Sequence, residues 1–267
     1  MKSSDHKVKV GNVEVGGNQF VVIAGPCSIE SEQQLLTIAE SVKNSGAHFI
    51  RGGVYKMRTS PDSFQGLGSE ALKHIKLVKE KLGVPFISEV TDPRQIPDLY
   101  ETIDVFQVGS RNMYNYALLK ELASYDKPVL LKRGFSALYD EWIKAAEYIA
   151  NKGNQNVILC ERGIRTFETG TRNTLDLNGV AYIKSKTNIP VLVDPSHGTG
   201  ARDLVIPMSL AGAAAGADGL IVEVHHNPSE AKSDGFQALT LEDFDQLMFK
   251  LEKVLDALDK PLAVNGK

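Results

Sequence analysis

One short stretch of the chain places an acid, a hydroxyl and an imidazole together: Asp194-Pro195-Ser196-His197-Gly198-Thr199-Gly200. It follows the apolar run 190–193, so it stands where a buried strand is expected to end. A histidine in such a place can bind a metal, move a proton or contact an anionic substrate, and the glycines let the backbone turn tightly. A loop histidine that merely caps a strand is the structural alternative. Loops after buried parallel strands often carry function, so the functional interpretation is favoured.

A set of cations also falls at or just after predicted strands. Its members are Arg51, Lys56, Arg58, Arg111, Lys132, Arg162 and Arg165. The whole chain has a net charge of −3, so this local positive cluster predicts anionic substrates, most simply phosphates and a carboxylate. Within residues 51–60, Thr59 and Ser60 add hydroxyl groups and two glycines add flexibility. A solvated surface loop is the alternative for that segment.

A third set has the composition of a metal site: Cys27, His197, Glu223 and Asp234. One thiolate, one imidazole and two carboxylates suit a first-row divalent ion rather than Mg or Ca, which prefer shells made only of oxygen. Taken singly, a buried cysteine and a satisfied core histidine are ordinary. The sequence by itself does not show that the four side chains meet.

The elements that must position these residues alternate along the chain. Strands are predicted at 20–24, 48–51, 85–89, 105–108, 128–132, 157–160, 190–193 and 219–223. Helices are predicted from about residue 31 and near 69–82, 93–101, 115–124, 138–152, 173–186, 203–216 and 240–258. The strands are continuous apolar runs, which is typical of a parallel sheet covered on both faces. Eight strand–helix units spaced ~25–35 residues apart predict an α/β fold, the TIM (β/α)8 barrel.

A doubly wound open sheet is the alternative architecture. No dinucleotide-binding glycine pattern follows the first strand, which argues against it. Closure of a barrel would bring the first and eighth strands together and favours a meeting of Cys27 with Glu223. We expect one domain, 1–267, in which residues 1–19 form an N-terminal extension. Within it, 7–19 read as a β-hairpin, and a plug on the amino-terminal mouth of the barrel is its expected place.

Composition excludes several classes of protein. The 267 residues are 42% hydrophobic and 24% charged, as in an ordinary globular protein. There is no strongly basic run, so we expect no nucleic-acid partner. No apolar run approaches the ~20 residues of a membrane span, and the N-terminus does not read as a signal peptide. Two cysteines without metal-finger or redox spacing predict a reduced, cytoplasmic protein.

Eight motifs, in register with the predicted strands, carry a resemblance to a known family. They are Gly25-Pro26-Cys27-Ser28, Arg51-Gly52-Gly53 with Lys56-Met57-Arg58-Thr59-Ser60, Phe64-Gln65-Gly66-Leu67-Gly68, Gln107-Val108-Gly109-Ser110-Arg111, Leu131-Lys132-Arg133-Gly134, Cys160-Glu161-Arg162-Gly163, Asp194-Pro195-Ser196-His197 and Val222-Glu223-Val224-His225. Over residues 7–258 the chain resembles the 3-deoxy-D-arabino-heptulosonate 7-phosphate (DAHP) synthases, in the short, type I beta form without a regulatory domain.

The resemblance implies a transferase that condenses phosphoenolpyruvate with erythrose 4-phosphate and releases phosphate, the first step of the shikimate pathway to aromatic amino acids. It implies a divalent metal ion (Mn, Fe, Co or Zn) on Cys27, His197, Glu223 and Asp234. It assigns phosphoenolpyruvate to Arg51, Lys56, Arg111, Lys132 and Arg162, and the aldose phosphate to Arg58, Thr59 and Ser60. Lys56, Cys27 and His197 are the expected catalytic residues, with Lys56 placed to donate a proton to the developing alkoxide.

One position departs from the family. Met57 stands where proline is usual, so the loop lacks the fixed φ that proline would give. The sister enzyme, 3-deoxy-D-manno-octulosonate 8-phosphate synthase, uses arabinose 5-phosphate instead. Its loop usually reads Lys-Ala-Asn-Arg-Ser, and the missing Asn argues against it. A barrel that only senses phosphorylated metabolites is the non-enzymatic alternative.

Two further expectations concern assembly and regulation. We expect a homo-oligomer, either a dimer or a tetramer. About 19 residues precede the first barrel strand and about nine follow the last helix, too few for an independent core. The sequence therefore predicts an enzyme that Phe, Tyr and Trp do not inhibit.

Overall fold

The computed structural model describes residues 6–57, 60 and 62–264. Within this part of the chain, eight parallel strands form a closed barrel, and an antiparallel hairpin precedes them. The hairpin strands are β1 (Val8–Val10) and β2 (Val13–Val15). The barrel strands are β3 (Val21–Gly25), β4 (Phe49–Arg51), β5 (Phe86–Glu89), β6 (Val105–Val108), β7 (Val129–Lys132), β8 (Val157–Glu161), β9 (Val191–Val193) and β10 (Gly219–Glu223). The predicted TIM barrel is confirmed.

Helices follow the strands and cover the outside of the barrel. They are α1 (Glu32–Asn44), α2 (Ser69–Leu82), α3 (Ile96–Tyr100), α4 (Tyr116–Leu122), α5 (Tyr139–Ala150), α6 (Leu177–Lys186), α7 (Pro195–Thr199), α8 (Arg202–Ala214) and α9 (Leu241–Ala257). Their ends follow local chemistry: the Ser31 hydroxyl accepts the Gln34 N–H at the start of α1, which satisfies a donor that the first turn leaves open.

Two predicted helices and one predicted loop differ from the observed structure. The segment 93–101 begins as a 3-10 turn, Pro93–Gln95, before α3. The helix predicted over 173–186 begins at Leu177, because the Asp176 side chain accepts the Gly179 N–H and caps it there. The stretch 194–200, interpreted as a loop, contains the short helix α7, which Asp194 caps through the His197 N–H and Gly200 ends in a left-handed conformation.

The hairpin closes one end of the barrel. Val8, Val10, Val13 and Val15 are at most 4% exposed. They share an apolar cluster with inward-facing residues of all eight barrel strands, and in a barrel such interior layers are packed rather than open. The predicted plug is confirmed, and it leaves the carboxyl ends of the strands for chemistry. No helix among the described residues is both long enough and apolar enough to traverse a bilayer.

Candidate active site

A cavity of about 290 Å³ lies at the carboxyl ends of the barrel strands. Six cations line it: Arg51, Lys56, Arg111, Lys132, Arg162 and Arg172. Its other charged or hydroxyl-bearing side chains include Glu89, His197, Asp234 and Ser60. The fold therefore brings together most of the predicted substrate residues in one place, with Met57 beside them. Arg58 and Thr59 lie outside the described residues.

Arg162 combines burial with an unsatisfied hydrogen-bond donor. The residue is only 3% exposed, and among the described residues its Nη1 has no hydrogen-bond partner. Burial lowers the pKa of Arg162, although Asp194 opposes the shift. A buried guanidinium nitrogen without an acceptor costs free energy. The position therefore fits a side chain whose acceptor arrives with the substrate.

Lys132 and His197 are held by one carboxylate. The Lys132 Nζ donates to Asp194 Oδ2 at 2.6 Å, and the same oxygen lies 2.8 Å from His197 Nδ1. Burial alone would raise the pKa of Asp194, but His197 and Lys132 hold it well below its usual range. Burial lowers the pKa of His197, so its ring is neutral and carries one proton. The ionised Asp194 carboxylate can only accept, so that proton lies on Nδ1 and the lone pair on Nε2. That nitrogen lies 3.4 Å from Glu223 Oε1.

Cys27, Glu223 and Asp234 offer three ligand atoms within 4.8 Å of one another. The Cys27 Sγ lies 3.4 Å from Asp234 Oδ2. His197 is outside this compact group of three, and it reaches the group through Glu223. Burial, with Glu223 and Asp234 adding to it, raises the pKa of Cys27 to about 12. The thiol therefore loses its proton near neutral pH only when a strong local cation binds to the sulfur. The mixed donor set fits a borderline divalent metal ion.

Two neighbours fix the orientation of Glu223. Arg51 Nη1 donates to its Oε1 at 2.6 Å, and Gln237 Nε2 donates to its Oε2 at 2.6 Å. Burial alone would raise the pKa of Glu223, but His197 and Arg51 lower it far below its usual value. Sequence reasoning missed Gln237, because nothing in its local pattern distinguishes a fully buried amide from a surface one.

Asp234 stands in a strained backbone conformation. Its φ is 51°, a left-handed value that a residue other than glycine seldom adopts. Arg172 Nη1 lies 3.7 Å from its Oδ1 and also donates to Gln237 at 2.9 Å. Strained residues of this kind persist where the surrounding structure holds them and cluster at functional sites. Arg172 is also a cavity cation, and no sequence motif marks it.

Lys56 and Glu89 both line the cavity. Burial alone would lower the pKa of Lys56, but the Cys27 sulfur and the Glu89 carboxylate raise it above its ordinary value. Glu89 can lie against the backbone because residue 109 is glycine, where a Cβ would come within 2.1 Å of its Oε1. Lys56 is therefore kept protonated, as a proton donor must be.

A closed parallel barrel whose mouth is lined by cations has the architecture of a (β/α)8 enzyme, and the charge of its cavity favours anions. Residues 3–260 match the model of the DAHP synthetase I family. The chain belongs to this family and is an enzyme, an aldolase-type transferase, which confirms the transferase that the resemblance implied.

One curated relative and two solved structures, all from Thermotoga maritima, illustrate the likeness. The chain is 48% identical over 254 residues to the phospho-2-dehydro-3-deoxyheptonate aldolase of Thermotoga maritima, which covers 95% of this chain and 75% of the relative. The crystal structure of that enzyme has a TM-score of 0.94 at 47% identity, over 97% of this chain and 76% of that one. A truncated form of the Thermotoga maritima synthase has a TM-score of 0.91 at 44% identity, over 97% and 95%.

A more distant relative represents the sister activity. The 2-dehydro-3-deoxyphosphooctonate aldolase of Fusobacterium nucleatum is 33% identical over 276 residues, which cover 96% of each chain. The difference in identity between 48% and 33% favours the heptulosonate activity over the octulosonate one.

Proposed function

We propose that this protein condenses phosphoenolpyruvate with D-erythrose 4-phosphate and water to give DAHP and inorganic phosphate. The observation that carries the proposal is the buried Arg162, with an unpartnered Nη1, in a cavity that five other cations line. A substrate with a phosphate and a carboxylate supplies acceptors for such an array in bidentate geometry. We assign these two groups to Arg111, Lys132 and Arg162.

In this reaction a carbon–carbon bond forms between C3 of phosphoenolpyruvate and the aldehyde carbon of the sugar. The aldehyde oxygen takes a proton, water adds at C2, and the C2–O bond to phosphate breaks. Lys56 is the proton donor that we propose for the aldehyde oxygen, because its raised pKa keeps the ammonium charged. The cavity cations hold both substrates so that the reacting carbons meet.

The metal site is part of the proposal. Cys27, Glu223 and Asp234 lie close enough to share one divalent ion, and the His197 Nε2 lies 3.4 Å from Glu223 Oε1. When bound, such an ion polarises a carbonyl oxygen as a Lewis acid. Asp194 and Gln237 orient His197 and Glu223 from behind, as outer hydrogen bonds commonly do for metal ligands. The identity of the ion, the homo-oligomer and the cytoplasmic location stay predictions.

The test is the choice of aldose. Purified protein with Mn, phosphoenolpyruvate and either erythrose 4-phosphate or arabinose 5-phosphate should release phosphate with the four-carbon sugar and little with the five-carbon sugar. The product mass distinguishes condensation from simple hydrolysis. Turnover of phosphoenolpyruvate with arabinose 5-phosphate but not with erythrose 4-phosphate would assign the sister activity. Calorimetric binding of phosphoenolpyruvate without turnover of either sugar would indicate a barrel that binds phosphorylated metabolites without catalysis.

A further inference from the structure

Three guanidinium groups meet around one aromatic ring beside the cavity. The ring centroid of Phe135 lies 4.8 Å from the Cζ of Arg162, 4.8 Å from that of Arg165 and 5.5 Å from that of Arg111. Phe135 lines the cavity and follows β7 by three residues. No motif in the sequence marked this phenylalanine as part of the site.

The position of the ring follows from the order of the strands. Arg111 comes after β6 and Arg162 after β8, and β7 pairs with both of these strands. A side chain just beyond the end of β7 therefore stands between the two arginines that are proposed to bind phosphoenolpyruvate. Three like charges this close repel one another, and the negative face of an aromatic ring attracts each of them.

The loop that carries Phe135 is firmly anchored. Arg133 donates from its Nε and Nη2 to the Ala137 carbonyl at 3.0 and 2.8 Å, so the backbone is tied on both sides of Phe135. Arg133 is itself held by Glu161 and Asp176, each at 2.8 Å. The Arg165 N–H donates to the Phe135 carbonyl at 2.7 Å. The ring is thus presented on a rigid loop, as preorganised binding requires.

We propose that Phe135 is a positioning residue: its ring holds Arg111 and Arg162 in the orientation that receives phosphoenolpyruvate. This inference rests on the proposed function, because it assigns the anion of that reaction to these two arginines. Phe135 acts through the cations and takes no part in proton transfer. Its loss should therefore weaken substrate binding and leave the chemical step largely intact.

The first variant is Phe135→Leu, which keeps an apolar side chain and removes the ring. We expect the Kd for phosphoenolpyruvate, measured by calorimetry, to rise about three- to thirtyfold. The KM for phosphoenolpyruvate should rise with it, while kcat changes less than about twofold. Phe249→Leu is the matched control, because the Phe249 ring also carries a cation, Lys253 at 3.9 Å, but on α9. It should bind phosphoenolpyruvate as the unmodified protein does.

A second series separates the electrostatics of the ring from its shape. Phenylalanines with one, two and three ring fluorines at position 135 keep nearly the same size and weaken the negative face stepwise. The Kd should rise with each fluorine, and this series serves equally if Phe135→Leu fails to fold. A Kd unchanged across the series would overturn the inference while the unmodified protein still binds phosphoenolpyruvate. Failure of the unmodified protein to bind would overturn the proposed function and this inference with it.

Discussion

Arg51 and Glu223 form a buried ion pair across the mouth of the barrel, with Arg51 Nη1 2.6 Å from Glu223 Oε1. Arg51 ends β4 and Glu223 ends β10, and β3 lies between these strands. One partner belongs to the proposed anion site and the other to the proposed metal site. The two proposed sites are therefore coupled through this ion pair, and removal of either partner leaves the other buried charge without compensation.

Breaking this pair should destabilise the fold. Arg51→Met and Glu223→Gln each leave an uncompensated buried charge or donor, and each should lower the free energy of unfolding by about 3–5 kcal/mol. The double variant should lose much less than the sum of the two, because neither charge remains. Urea denaturation with a chelator present measures all four proteins. Additive losses would show that the two side chains do not interact in solution.

Removal of the Arg162 guanidinium should weaken substrate binding without lowering the stability of the fold. Arg162→Met removes a buried cation whose Nη1 has no partner among the described residues, so the free energy of unfolding should stay equal or increase. Affinity for phosphoenolpyruvate should fall well over tenfold, since a truncated contact to a desolvated anion is worth about 2–5 kcal/mol. Thermal unfolding and calorimetry on one preparation give both numbers. Arg94→Ala, at a guanidinium that is 89% exposed, is the control, and equal affinities for the two variants would place Arg162 outside the site.

The mixed ligand set should bind a divalent ion through sulfur. Exhaustive chelation should abolish activity, and Mn, Co or Zn should restore it. With Co²⁺, a sulfur-to-metal charge-transfer absorption should appear, and it should vanish in Cys27→Ala, because only the thiolate of Cys27 supplies sulfur to this group. Cys160, inside the barrel, provides the control: Cys160→Ala should retain the band. Full activity after chelation would contradict the assignment.

His48 should make the fold sensitive to mild acid. Its Nδ1 accepts the Val22 N–H at 3.0 Å and its Nε2 lies 2.7 Å from the Ala263 carbonyl, so the native ring is neutral. Burial lowers the pKa of His48 from 6.5. As the pH falls below 6.5, the unfolded chain takes up a proton that the native state refuses, and stability is lost by at most about 1.4 kcal/mol per pH unit.

The measurement is the unfolding midpoint as a function of pH. His48→Gln should be less stable at pH 7 and should show a shallower decline between about pH 6.5 and 5 than the unmodified protein. His197 and His225 also have lowered pKa values, chiefly through burial, so part of the slope should persist in the variant. An identical slope in both proteins would contradict a contribution from His48.

The eight strands were predictable because each is a short, mostly apolar run near polar or turn-forming residues, as in 20–24 and 157–160. The helix α7 was not, since Pro195, Gly198 and Gly200 are typical of a turn. There the cap from Asp194 and the packing of α7 against α8 and β10 decide the local conformation. Local composition is a weak guide wherever tertiary contacts hold a five-residue helix together.

Some residues of the candidate site were likewise predictable from the sequence, and others were not. Lys132 and Arg162 could be found because charges at the ends of buried strands are conspicuous. Phe135, Arg172 and Gln237 could not, because an aromatic ring, an arginine and an amide in loops are ordinary in sequence. Their importance arises from contacts that only the folded chain makes, such as the 2.6 Å between Gln237 Nε2 and Glu223 Oε2, which a linear pattern does not contain.

Barrel closure joins parts of the chain that are made at very different times. The strand β3 pairs with β10 over five residues, from Val21–Gly219 to Gly25–Glu223, and Phe20 exchanges hydrogen bonds with Pro261 and Ala263. At about 5–20 residues per second, a ribosome needs roughly ten to forty seconds to proceed from β3 to β10. For that time one edge of β3 has no strand beside it, and an open edge recruits other strands. The nascent barrel is therefore most exposed to aggregation until its eighth strand emerges.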